Sequence, residues 1–168
     1  TRINHISEFI DQVVQLNGWV YNSRRSGKIG FLILRDGFGL IQCIVNKNDV
    51  GEKKFDVFKS LTQESSLSVN GKVVKNDRAP DGFELILSDL TVHQISSEYP
   101  ITPKEHGTDF LMNNRHLWLR SKRQHAILRV RHEIIKAIRD FFDSNDFTLC
   151  DSPIITPNAA EGTSTLFA

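Results

Sequence analysis

Three groups of side chains in this sequence are of types that could do chemistry. Arg24, Arg25 and Lys28 fall in what reads as the first loop, followed closely by Phe31 at the start of a second strand and then by Gln42 on a third. A planar ring, an amide that both donates and accepts, and neighbouring cations suffice to stack on an unpaired base, read its edge and hold its phosphate. The same residues also suit a core phenylalanine and a solvated strand glutamine, and spacing alone favours these plainer roles. The second group is Arg115, Arg120, Lys122, Arg123, Arg129 and Arg131, with no acidic residue between Asp109 and Glu133. Such a run could contact a phosphate backbone or form the solvated face of a helix. The third is Glu161-Gly162-Thr163-Ser164, where a carboxylate beside a flexible glycine could anchor a ligand ammonium group, or be a plain loop. The histidines make neither H-x-x-H nor H-E-x-x-H, and neither a Walker loop nor a paired-glycine dinucleotide fingerprint occurs, so no metal site is expected. No Ser/His/Asp grouping can be argued.

Bulk properties limit these options. A net charge of +1 supplies no global field for nucleic acid, so any such contact must come from local clusters. With 168 residues and 39% hydrophobic content, the chain can bury a core in one medium domain, or in a small domain plus part of another. Cys43 and Cys150 lie far apart with no Cys-x-x-Cys spacing, and two reduced, packed thiols are expected rather than a disulfide. No apolar run approaches the roughly 18 residues of a membrane span, and the first ten residues lack the basic-then-apolar form of a signal peptide. A soluble cytosolic protein is the plain expectation. Position 1 is Thr rather than Met, so missing residues at the start are expected.

The elements that must position these residues are mostly strands. Val14, Leu16, Gly18 and Val20 alternate with polar neighbours, the period of a half-buried strand. Phe31-Leu32-Ile33-Leu34 is an apolar run that reaches Leu40–Val45 through Arg35-Asp36-Gly37-Phe38-Gly39, a hairpin signal. Val50, Phe55, Phe58 and Leu61 stand at helical spacing within 48–64. Strands near 67–74 and 83–92 are joined by the turn Ala79-Pro80-Asp81-Gly82. Five strands with a helix between the third and fourth predict the all-β Greek-key barrel of an OB fold, although the pattern also permits other small barrels. Pro100, Pro103 and Gly107 make 99–115 an irregular linker. A helix follows, opened by a capping box of Ser121 and Gln124. Its one apolar face carries Ile127, Val130, Ile134, Ile138, Phe141 and Phe142. Phe147-Thr148-Leu149-Cys150 reads as a short strand stopped by Pro153. The tail from 156 is small and polar, too little for a core of its own, so the second domain reads as unfinished.

Together the motifs carry a resemblance. Gly18-Trp19-Val20, Arg24, Phe31, Arg35-Asp36-Gly37 and Gln42 resemble the anticodon-binding barrel of the aspartyl, asparaginyl and lysyl class II tRNA synthetases. Arg115-His116-Leu117-Trp118-Leu119-Arg120 resembles the start of their α+β catalytic domain, built on an antiparallel sheet. Its His-Leu-Trp form, preceded by Tyr99-Pro100-Ile101-Thr102-Pro103-Lys104-Glu105-His106, is similar to the asparaginyl branch; aspartyl and lysyl relatives usually read Arg-Tyr-Leu-Asp-Leu-Arg. The segment ending in Phe147-Thr148-Leu149-Cys150-Asp151-Ser152-Pro153 is similar to motif 1, the dimer interface, and Ala159-Ala160-Glu161-Gly162 to the mobile loop over the amino acid.

The resemblance implies an OB anticodon-binding domain over 1–98, a hinge over 99–120 and the start of a catalytic domain over 121–168. It implies that Phe31 stacks on the central anticodon base, a uridine, that Gln42 hydrogen-bonds it, and that Arg24 contacts the anticodon loop. Glu84 would lie near the third anticodon base, Glu161 would bind the substrate ammonium group, and Pro153 would be the motif 1 proline. The implied reaction joins asparagine to tRNA(Asn) with ATP and Mg2+, in a cytoplasmic homodimer. Motifs 2 and 3, which carry the ATP-handling arginines, are not found in the sequence, so the 168-residue segment alone is expected to be inactive. Two other readings stand beside this one: a stand-alone tRNA-binding OB module, and an aspartyl enzyme, including the kind that charges both tRNAs. His116-Leu117-Trp118 speaks against the latter.

Overall fold

The computed structural model describes residues 1–102 and 104–154. The chain divides into two units, Thr1–Lys104 and Glu105–Ala168.

The first unit is built on strand β1, Val13–Ser26, in which Val14, Leu16, Gly18 and Val20 are buried and their neighbours exposed. Strand β2 runs Ile29–Arg35 and β3 runs Leu40–Asn46, both alternating in the same way. Strands β4, Ser66–Lys75, and β5, Phe83–Gln94, complete a closed barrel in the order β1-β2-β3-β5-β4. The β3–β5 pairing is parallel and the other four are antiparallel. This is the expected five-stranded OB barrel. Closure leaves no edge for another chain to pair with.

Inward side chains fill the barrel, with Leu16, Leu32, Leu34, Val69, Val73 and Leu85 essentially inaccessible. Cys43 lies among them, fully buried, and desolvation pushes its thiol far above the ordinary range. It is therefore an inert apolar side chain. Cys150 is also a free thiol but is exposed, so the expectation of two packed thiols holds only for Cys43.

The helical segment between β3 and β4 is shorter than its apolar spacing suggests. Helix α1, Lys47–Val50, ends at Gly51, whose φ of 81° suits glycine, and α2 spans Glu52–Lys59. The expected helix over 48–64 is thus broken at Gly51 and finished by residue 59. Its apolar residues Val50, Phe55, Phe58 and Leu61 are nonetheless all buried. A Cβ at Gly30 would come within 2.3 Å of the Phe58 ring, so glycine on β2 is what admits α2 against the barrel. Lys54 of α2 pairs with Asp89 of β5, and the Lys54 hydrogen bond holds the Asp89 carboxyl below its usual range. A 3-10 helix, Ile3–Phe9, inserts Ile3 and Ile6 into the same core.

In the second unit, α3, Thr108–Asn113, and α4, Arg115–Trp118, occupy part of the stretch expected to be irregular. The prolines and Gly107 all precede Thr108, and nothing after it opposes a helix. Helix α5 spans Lys122–Asp143, and Ser121 caps it, its Oγ accepting from the Gln124 N–H at 3.4 Å. The helix stops where Asp146 takes φ 63° and the Phe147 N–H bonds back to the Phe142 carbonyl at 3.1 Å. Phe147 then meets Phe142 edge-on, ring centroids 5.4 Å apart. Residues 147–150, expected to be a strand, have no ladder partner among the described residues, and a strand exists only by pairing.

Candidate nucleic-acid interface

The outer face of β1, β2 and β3 gathers the first group of candidate residues. On β2 the inward positions are taken by Gly30, Leu32 and Leu34, so Phe31 and Ile33 point outward and are half-buried. Phe31 is therefore not a core residue. A register shift between Val20 and Asn22 changes the phase of β1, bringing Asn22 opposite Ile33 and Arg24 opposite Phe31. The Arg24 guanidinium carbon then lies 4.6 Å from the Phe31 ring centroid, within cation–π range. On the other side of Phe31 stands Ile44, and beside Ile33 stands Gln42. Arg25 and Lys28 are exposed at the β1–β2 turn.

Gln42 is not simply solvated. It sits beside Glu84 across the parallel β3–β5 pairing, and its Nε2 donates to Glu84 Oε1 at 2.8 Å. Asn76, in the β4–β5 turn, donates to the same oxygen at 2.7 Å. Glu84 is 8% exposed, and these two amide donors offset the cost of burying its carboxylate. The face thus offers a ring flanked by a cation, an aliphatic floor of Ile33 and Ile44, and an amide bonded to a covered carboxylate. Chemically it can stack a planar group and hydrogen-bond its edge.

Other candidates lie elsewhere. Glu161 falls outside the described residues. Pro153 is exposed, beyond α5, in chain without regular structure. Of the basic run, Arg115 donates to the Met112 carbonyl, while Arg129 and Glu133 form an exposed i,i+4 pair at 3.9 Å, the bonding of a solvated helix face. Among the described residues no group of three or more His, Cys, Asp or Glu gathers that could hold a metal ion.

Three side chains make contacts that the sequence reading did not assign, although it placed Arg35 and Asp36 in the β2–β3 turn. Arg35 Nη2 reaches both Glu64 oxygens at 2.8 and 2.7 Å, joining the end of β2 to the segment before β4. Asp36 folds the β2–β3 turn by accepting from the Phe38 and Gly39 N–H groups and holds the 3-10 helix by accepting from Ile3 N–H. Asn76 is the third; its only local signal was an Asn opening a turn.

Residues 14–92 match the family described as OB-fold nucleic acid binding domain, and residues 107–168 match tRNA synthetases class II (D, K and N). A barrel of the first kind followed by a segment of the second defines one class, and the chain belongs to the class II tRNA synthetases of the D, K and N group. Within that class it is 57% identical to the asparagine--tRNA ligase of Sorangium cellulosum, over 96% of this chain and 36% of that protein. It is 53% identical to the asparagine--tRNA ligase of Desulforamulus reducens, over 99% and 39%. The asparaginyl-tRNA synthetase from Pyrococcus horikoshii complexed with asparaginyl-adenylate has a TM-score of 0.86 and 37% identity, over 99% of this chain and 39% of that one. The chain spans little more than a third of the length of these relatives.

Proposed function

We propose that this chain is part of an enzyme that attaches asparagine to tRNA(Asn), and that its barrel reads the anticodon. In the proposed reaction the asparagine carboxylate attacks the α-phosphate of ATP, giving asparaginyl-adenylate and releasing pyrophosphate. The terminal adenosine of the tRNA then takes the acyl group and AMP leaves. Relatives named asparagine--tRNA ligase at 52–57% identity support the choice of amino acid.

The observation that carries the anticodon reading is the row Arg24–Phe31 and Gln42–Glu84 on one outer face. Phe31 stacks on the central base, a uridine, and Gln42 bonds its edge. Arg24 follows the anticodon loop with its charge, and Glu84 lies near the third base. In the rest of the chain, Glu161 binds the substrate ammonium group and Pro153 belongs to the homodimer contact. No helix among the described residues is long and apolar enough to cross a membrane, compatible with a cytoplasmic enzyme. Magnesium would neutralise nucleotide charge in the complete protein.

The test is amino-acid-dependent ATP–pyrophosphate exchange. The complete protein is expected to exchange with asparagine and not appreciably with aspartate, and the 168-residue chain with neither. Preference for aspartate in the complete protein would sink the assignment.

A further inference from the structure

We infer that Glu84 and Asn76 are positioning residues that pin the Gln42 amide in one orientation, so that the face selects uracil over cytosine. The inference deepens the reading of this face as the anticodon site and rests on it. A carboxylate only accepts hydrogen bonds, so an amide facing Glu84 must turn its NH2 toward it, never its oxygen. Gln42 and Asn76 both do so, converging on the same Glu84 oxygen at 2.8 and 2.7 Å. Asn76 is itself fixed from behind, because its Oδ1 accepts from the Arg78 N–H at 3.0 Å. The turn that carries it is closed by Asn76 N–H to the Gly82 carbonyl at 2.9 Å. Three elements, β3, β5 and the β4–β5 turn, therefore hold one amide.

The selectivity follows from the chemistry of the two pyrimidines. Uracil presents an imino N–H next to a carbonyl oxygen, whereas cytosine presents a bare ring nitrogen next to an amino group. An amide free to turn over could match either edge by exchanging its oxygen and nitrogen. An amide whose nitrogen is committed to Glu84 keeps its oxygen as the acceptor; set opposite the base's ring nitrogen, that oxygen accepts from the imino N–H of uracil but meets only a lone pair in cytosine. Burial of Glu84 at 8% exposure strengthens the lock, because leaving its carboxylate without donors is costly.

The experiment titrates the 168-residue chain, by fluorescence anisotropy, with two RNA stem-loops that differ only in U or C at the central anticodon position. The wild-type chain is expected to prefer U by about tenfold or more, the scale of one well-made base-edge contact. Glu84→Gln keeps the shape but lets the amide turn over, and the preference is expected to fall to about threefold or less. Asn76→Ala should weaken the preference in the same direction and add nothing in the Glu84→Gln background, since it acts through Glu84. A Glu84→Gln chain that keeps the wild-type preference overturns the inference and leaves the binding site intact. A wild-type chain that binds both RNAs alike, and no better than Phe31→Ala, overturns the site itself and the inference with it. A second measurement needs no variant. The Gln42 side-chain NH2 protons in a nitrogen–proton correlation spectrum should be widely split, with one slow to exchange. A narrow pair in fast exchange with water would contradict the pinning.

Discussion

Phe31→Ala is expected to weaken binding of the anticodon stem-loop by about 1–3 kcal/mol, the scale of one base–aromatic stack, with the barrel still folded. The expectation of intact folding comes from where the ring sits. The inward positions of β2 belong to Gly30, Leu32 and Leu34, and Phe31 is only half-buried on the outer face. Its loss removes a platform and a cation–π partner of Arg24 but opens no cavity in the core. Equilibrium titration together with thermal unfolding checks both halves. Unchanged affinity would mean that no base stacks there, and a large fall in melting temperature would mean that the ring supports the fold.

Arg35→Ala should have the largest effect on stability, about 3 kcal/mol or more. The Glu64 side chain is 5% exposed and that of Arg35 14%, so both charges are largely out of water. Such a pair adds little when whole, but removing one partner takes away the donors that offset the desolvation of the other. A loss of this size is a large part of a small domain's total stability. Glu64→Gln, which removes the charge and keeps the size, should cost less. Urea unfolding of the two variants gives both numbers. A cost under about 0.5 kcal/mol for Arg35→Ala, ordinary for a surface change, would show that the pair is not structural.

The sequence made the barrel legible where its period was clean. Val14, Leu16, Gly18 and Val20 alternate because every second residue of β1 faces the core, and that pattern located the strand. It failed just beyond, because the irregularity between Val20 and Asn22 breaks the period, so Arg24 read as a loop residue rather than the cross-strand neighbour of Phe31. Phe31-Leu32-Ile33-Leu34 shows the opposite difficulty. Both faces of that strand are apolar, so no period tells which side chains point inward; spacing alone favoured a core Phe31, only the resemblance turned it to the surface, and the register shows the ring facing outward. Helical spacing found Val50, Phe55, Phe58 and Leu61 but overlooked the break at Gly51, since burial continues across it. Ile3 and Ile6 lie in a segment too short to display a period.

The site was legible in residue types and not in contacts. Phe31 and Gln42 could be picked out as a ring and an amide near a basic loop. That Gln42 is bonded to Glu84, and Glu84 to Asn76, depends on the parallel β3–β5 pairing and on the path of the β4–β5 turn. Both are long-range features that local pattern does not encode. The same holds for Arg35 and Glu64, which meet only because the barrel closes between them.

The central claim is that the outer face of β1, β2 and β3 receives the anticodon. It is tested most directly by titrating the labelled chain with the anticodon stem-loop and following the backbone amide resonances. The largest changes should fall on Arg24, Phe31, Ile33, Gln42 and Ile44. Changes centred instead on Gln15, Asn17, Ser68 and His93, on the outer face of β1, β4 and β5, or no changes at all, would contradict it.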